Sequence, residues 1–196
     1  MLLYHVLDGA VMAEDVEPGT VMSTDGRVLL IDDEDGLNIN GAPISDTDIE
    51  ASNGVIHVID EVIVPPGDLV DVAMDEPDLS ELVDAVVAAD LVEELTGDDP
   101  LTVFAPTDDA FEAAESVIDD FDEAELVEAL LYHVIPGAVS SHSVEPMTVE
   151  TVAEIDIEIT EDGGALFYGD AQIVITDVVA ENGIVHIIDT VVVPSE

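Results

Sequence analysis

No cysteine occurs in the 196 residues, so neither a disulfide framework nor thiolate chemistry is available to the chain. Lysine is absent, and a single arginine, Arg27, stands against 48 aspartates and glutamates, for a formal net charge of −47. Nucleic-acid binding needs cations to neutralise phosphates, and one guanidinium cannot supply them. The same imbalance opposes anionic membrane surfaces. No run of roughly eighteen apolar residues is present, so direct membrane insertion by a helix is not expected. The opening "MLLYHVLDGA" has no basic stretch of the kind that begins a signal peptide. Tryptophan is missing too, which leaves "FY" at Phe167-Tyr168 as the one aromatic cluster able to stack a sugar.

Apolar residues, by contrast, are plentiful: 48% of the chain, with a mean hydropathy of +0.37. Acidic chains that remain disordered are poor in such residues, so a folded protein is expected. Folded, it repels itself in dilute buffer. At molar salt the Debye length falls to about 3 Å and that repulsion is largely screened. The composition therefore points to a salt-saturated setting, as in an extreme halophile.

The chain also repeats itself. "LLYHVLDGAV" (Leu2 to Val11) returns as "LLYHVIPGAV" (Leu130 to Val139). "NGVIHVIDEVIVP" (Asn53 to Pro65) returns as "NGIVHIIDTVVVP" (Asn182 to Pro194). The period is about 130 residues. Residues 1–65 match only the second half of the unit, and residues 66–196 make one complete copy.

The front of that copy has helical periods. "DLVDVAMDEP" (Asp68 to Pro77) places Leu69, Val72 and Ala73 on one face. "DLSELVDAVVAADLVEEL" follows, with Asp78 and Glu81 at capping-box spacing and a stripe of Leu79, Leu82, Val83, Val86, Val87 and Leu91. "LTVFAP" (Leu101 to Pro106) is short and β-prone, Thr107 caps the next helix, and Asp122 with Glu125 starts another. Beyond Pro136 the period becomes two: "TVAEIDIEIT", a turn at Asp162-Gly163-Gly164, "ALFYGDAQIVIT", a turn at Asn182-Gly183, and "IVHIIDTVVV". Helices followed by an antiparallel sheet make an α+β fold.

"TVFAPTDDAF", "LLYHVIPG" and "NGIVHIIDTVVVP", in that order, resemble the fasciclin domain. The resemblance covers 66–196 as a whole domain and 1–65 as the C-terminal half of another. It implies a β-wedge or sandwich of antiparallel strands packed with N-terminal helices. It also implies a non-catalytic adhesion or protein-interaction role, extracellular or at the cell surface. In animal members of the family, the Tyr-His region and an Asp-Ile stretch before the last motif are implicated in integrin binding. Their counterparts are Tyr132-His133 and Asp177-Val178, with Tyr4-His5 and Asp48-Ile49 in the half copy. The expected partner is a protein or an envelope polymer, and a small ligand or envelope carbohydrate is the alternative.

Catalysis finds little support. There is no nucleophile elbow, no His-Glu-x-x-His and no Gly-rich phosphate loop, so neither an enzyme nor a cofactor is expected. His133 and His186 read as structural histidines. "DDEDG" (Asp32 to Gly36) fails the EF-hand pattern, because Ala42 stands where a bidentate glutamate is needed, so it reads as an acidic hairpin tip and no dedicated metal site is expected. The half copy lacks the helices and the "TVFAP" strand, so its Val and Ile face is expected to pack on the complete copy or to self-associate through residues 1–65. Folding should depend on salt. Circular dichroism is expected to show loss of structure as KCl falls from molar to millimolar, and an unchanged melting temperature across that range would remove the halophile argument.

Overall fold

A computed structural model of the chain describes residues 1–33, 36–97, 99–118, 120–143 and 146–194, so the acidic tip expected at 32–36 lies partly outside the described residues. The fold is α+β. Its first sheet runs in chain order: β1 (Gly19–Met22), β2 (Val28–Asp32), β3 (Asn38–Ile39), β4 (Ala42–Ala51) and β5 (Gly54–Ile59), all antiparallel neighbours. Three helices follow, α1 (Leu69–Asp75), α2 (Ser80–Ala88) and α3 (Val92–Leu95), then β6 (Leu101–Pro106). Next come α4 (Asp108–Ile118), α5 (Glu123–Tyr132) and β7 (Val134–Pro136). The chain closes with β8 (Met147–Glu150), β9 (Asp156–Asp162), β10 (Ala165–Tyr168), β11 (Ala171–Ala180) and β12 (Gly183–Ile188). The second sheet has the order β7-β6-β12-β11-β10-β9-β8, and β6 lies parallel to β12.

Local signals explain where the helices begin. The Asp68 carboxylate accepts the Val70 and Asp71 amides at the head of α1. Asp122 and Glu125 form the full capping box of α5. The box expected at Asp78 and Glu81 does not form. Pro77–Leu79 is a 3-10 turn that moves the start of α2 past Asp78. The cap comes instead from Asp108, which accepts the Glu81 amide at 2.8 Å and the Ser80 hydroxyl. The expected single helix through 95 breaks at Asp90, whose φ of 56° is left-handed, and Val87 faces solvent rather than the core. The strand expected over 151–160 begins only at Asp156, because residues 151–155 turn the chain from β8 into β9. Glu154 takes a left-handed φ of 61° between β8 and β9, and the Thr151 hydroxyl bonds the Ile155 carbonyl across the turn.

The second sheet has a core on each face. Against the helices lie Leu69, Leu82, Leu130, Val134, Val185 and Ile187. On the far face lie Phe104, Tyr168, Ile173 and Ile188. β12 is buried along its whole length because it contributes to both. Its hairpin is tied down by Asn182, whose side chain accepts the Leu69 amide at 2.9 Å and donates to the Leu95 carbonyl at 2.8 Å.

The first sheet meets the second at a seam. The Val28 amide donates to the Glu181 carbonyl at 3.0 Å, the Glu181 amide to Gly67 at 2.9 Å, and the Thr20 hydroxyl to Ala138 at 2.7 Å. Arg27 bridges the seam too, 2.8 Å from the Glu181 carboxylate and 3.3 Å from its own-side Asp25.

Two equivalent glycines expose the difference between the copies. A Cβ on Gly183 would lie 2.0 Å from the Leu101 carbonyl oxygen of β6, whereas one on Gly54 would meet nothing within 4 Å. Gly183→Ala is therefore expected to cost about 2 kcal/mol or more, since backbone must move. Gly54→Ala should stay within about 0.5 kcal/mol of the parent. Chemical denaturation of the two variants side by side measures both.

Candidate functional site

The Tyr132-His133 pair ends α5 and turns the chain into β7. Both side chains are buried. The Tyr168 hydroxyl donates to the Tyr132 carbonyl at 2.6 Å. His133 Nδ1 donates to the Ala129 carbonyl at 2.7 Å, and its Nε2 accepts the Val192 amide at 3.0 Å. Only the neutral Nδ1–H tautomer satisfies both bonds. Burial pushes the imidazole down to about 4, partly offset by the Ala129 carbonyl. The pair ties helix, strand and C-terminal segment together, and in this conformation it presents little surface to a partner.

Asp177 and Val178 lie where β11 is irregular. The register against β12 shifts twice between Ile173 and Val178, and Asp177 takes a left-handed φ of 61°. Aspartate tolerates that region better than most residues do. Its carboxylate accepts the Ser141 amide at 2.8 Å and also the Ser141 hydroxyl, and its own amide donates to His186 Nδ1 at 3.2 Å. His186 Nε2 then donates to the Val139 carbonyl at 2.9 Å. Burial holds this imidazole below its ordinary value, against the opposing pull of the Val139 carbonyl and the Asp177 charge. The structure thus joins Asp177 to His186 and Ser141, two residues that no sequence motif linked to it, while Tyr132-His133 lies in a separate cluster.

The half copy reproduces part of this. Asp48 has the same φ of 61° at the same bulge, and it accepts the Ala13 amide at 2.8 Å. His57, the counterpart of His186, donates through Nε2 to the Val11 carbonyl at 2.9 Å. Its Nδ1 is buried without a partner. Tyr4 is buried, donating to the Val28 carbonyl and accepting from Asn40. His5 and Ile49, however, are exposed.

Other chemistries have little to stand on. Tyr168 is fully buried and stacks on Phe104 with ring centroids 3.8 Å apart, so Phe167-Tyr168 is no sugar platform. One group among the described residues, Asp32, Asp33 and His142, gathers ligand atoms within 4.8 Å of one another across the seam. It is largely open to solvent, and no motif announced it, since His142 lies 109 positions beyond Asp33 in the sequence. The cavity between the helices and the second sheet is only about 30 Å³ and lined almost wholly by aliphatic side chains. Among the described residues no helix is long and apolar enough to cross a membrane.

Comparison with known proteins decides the family. The sequence model of the fasciclin domain matches residues 1–65 and again residues 77–194. The chain belongs to the fasciclin domain family. Protein sll1483 of Synechocystis sp. is 39% identical over 131 residues, covering 64% of this chain and 73% of that protein. The transforming growth factor-beta-induced protein ig-h3 of Sus scrofa is 30% identical over 203 residues, covering 98% of this chain. The chain spans only 30% of that relative's length. A solved fasciclin domain pair from the insect cell adhesion molecule Fasciclin I superposes with a TM-score of 0.57 at 18% identity, covering 89% of this chain and 65% of that one. That likeness shows the same fold.

The buried fasciclin histidine makes stability depend on pH. Unfolded, His133 binds its proton near 6.5; folded, it does so near 4. Between those values the unfolded state holds more protons, so stability present above pH 6.5 is lost as pH falls toward 4. In molar KCl, where carboxylate repulsion is screened, lowering pH from about 7.5 to about 5.5 is expected to cost about 1 kcal/mol. Denaturant titrations at the two pH values measure it, and His133→Gln should flatten the slope.

Proposed function

We propose that this chain is a non-catalytic protein-interaction module of a halophilic microbe, working outside the cell or at its surface. Residues 66–196 act as a complete fasciclin domain, and residues 1–65 as the second half of another. The observation that carries the reading is the double family match, over both copies. His133 and His186 each use both ring nitrogens on backbone groups, which leaves neither free to shuttle a proton. The description of the insect neighbour as a cell adhesion molecule supports the adhesive side of the reading, and the charge of −47 supports the salt-rich setting. The partner is a protein or envelope polymer, engaged through outward-facing polar surface around the Asp177-Val178 bulge and its counterpart Asp48-Ile49.

Beads coated with the full chain, in molar KCl, should adhere to intact cells of the source organism, and excess soluble chain should compete. A glycan array under the same salt is expected to stay blank, as are broad hydrolase and oxidoreductase assays. Turnover abolished by His133→Ala, or binding to one glycan class with no cell adhesion, would overturn the proposal.

A further inference from the structure

One group of side chains belongs to neither copy alone. Asp32 ends β2 of the first sheet and Asp33 follows it, while His142 rides on a 3-10 turn, Ser141–Ser143, of the complete unit. One ligand atom from each lies within 4.8 Å of the others across the seam. Strand register aligns Asp32 and Asp33 with Thr160 and Glu161 of the complete unit. The repeated Gly-Ala-Val that precedes the turn aligns His142 with Glu14. Two carboxylates and an imidazole therefore meet only where one copy faces the other.

Their spacing is that of ligands rather than of a hydrogen-bonded pair. His142 Nε2 stands 3.8 Å from Asp32 Oδ1, beyond hydrogen-bond reach, and among the described residues no hydrogen bond engages the ring. Two atoms that share one zinc ion, at about 2.0–2.2 Å each, stand roughly 3–4 Å apart. The side chains of His142 and Asp32 keep 22% and 29% of their surface exposed, and the site opens to water on the Asp33 side. The backbone under each ligand is fixed. Asp32 pairs with Asn38 in the sheet, and the Asp33 carbonyl accepts the Gly36 amide at 3.2 Å. Across the seam, the Asp177 carboxylate holds the Ser141 amide at 2.8 Å, and the Ser143 amide donates to the Ser140 carbonyl at 2.9 Å. The Thr20 hydroxyl, bonded to the Ala138 carbonyl, keeps the two frameworks together. Ligands held in place before an ion arrives lose little freedom on binding it.

We propose that Asp32, Asp33 and His142 bind one divalent transition-metal ion of the zinc type, which ties the two copies together, with water completing its coordination. The donor set selects the class of ion. Imidazole nitrogen suits zinc and its neighbours, whereas calcium and magnesium take oxygen ligands. The acidic run at 32–36 fails as a calcium loop, and the nitrogen ligand that changes its chemistry arrives from the other copy. A bound ion locks the seam, adding to the bonds that Thr20, Arg27 and the Val28 amide already make there. The lock is independent of whatever partner the module engages.

The test is titration of the full chain with Co²⁺ in molar KCl, beside a large excess of Mg²⁺ that occupies the surface carboxylates. One equivalent should bind saturably, and Zn²⁺ should displace it and remove its visible absorption. Amides shifted by the bound Co²⁺ should include both 32–33 and 141–143. Zn²⁺ should raise the melting temperature, since an ion bound only by the folded state stabilises it. His142→Ala leaves the hydrogen bonds of the turn to its neighbours, and it should weaken binding at least about tenfold and cancel the thermal shift. His5→Ala removes an exposed histidine elsewhere and should change neither. If His142→Ala does not fold, Asp33→Asn reads the same loss at an exposed position. Diffuse uptake of several equivalents that Mg²⁺ abolishes would mean an adventitious ion only and would overturn the proposal. The absence of saturable binding would do the same, as would saturable binding indifferent to these substitutions.

Discussion

The parallel pairing of Leu101–Pro106 with Gly183–Ile188 is the joint on which the complete unit turns. It seats Phe104 against Tyr168 on one face and Val103 against the helices on the other, so both cores meet at one strand. It also explains why Gly183 has no side chain and why Asn182 can reach across to Leu69 and Leu95. The half copy serves as a natural control for that joint. Its small core of Tyr4, Leu29, Ala42 and Ile63 holds a five-stranded sheet together, and among the described residues β5 ends that sheet with Ile56 and Val58 exposed.

Charge and burial divide the molecule cleanly. Acidic side chains crowd the outside, while the buried ionisable groups among the described residues of the complete unit are two histidines and two tyrosines shifted by burial toward their neutral forms. A protein whose surface repels itself so strongly gains little from isolated ion pairs, particularly in strong salt. Cohesion must come from the aliphatic cores and from backbone hydrogen bonds, which salt does not screen. The polar network around Asp177 fits that division, since its carboxylate holds the Ser141 turn at the bulge rather than pairing with a cation.

Much of this was legible in the sequence because the chain spells its sheet twice. The repeat marked the hairpin ending in β12 and its counterpart ending in β5, alternation marked most of β9 to β11 but not β8, and the capping box at Asp122 and Glu125 was readable because its members lie three residues apart. The box at Asp78 and Glu81 had the same spacing and still did not form. Its competitor, Asp108, sits on another helix and becomes a neighbour only after folding. The candidate site behaved in the same way. Asp177 stood out as part of a motif, but its left-handed backbone and its bond to Ser141 depend on strand register, which periodicity does not encode. The gathering of Asp32, Asp33 and His142 is invisible in one dimension for the same reason.

The lone guanidinium at the seam has a practical corollary. A protease that cuts only after basic residues has a single place to act on the chain, the bond following Arg27. That side chain is engaged by Glu181, and the next amide, that of Val28, is bonded to the Glu181 carbonyl. Cleavage requires both to let go, so the rate of appearance of one cut product is a clock for how often the two copies part.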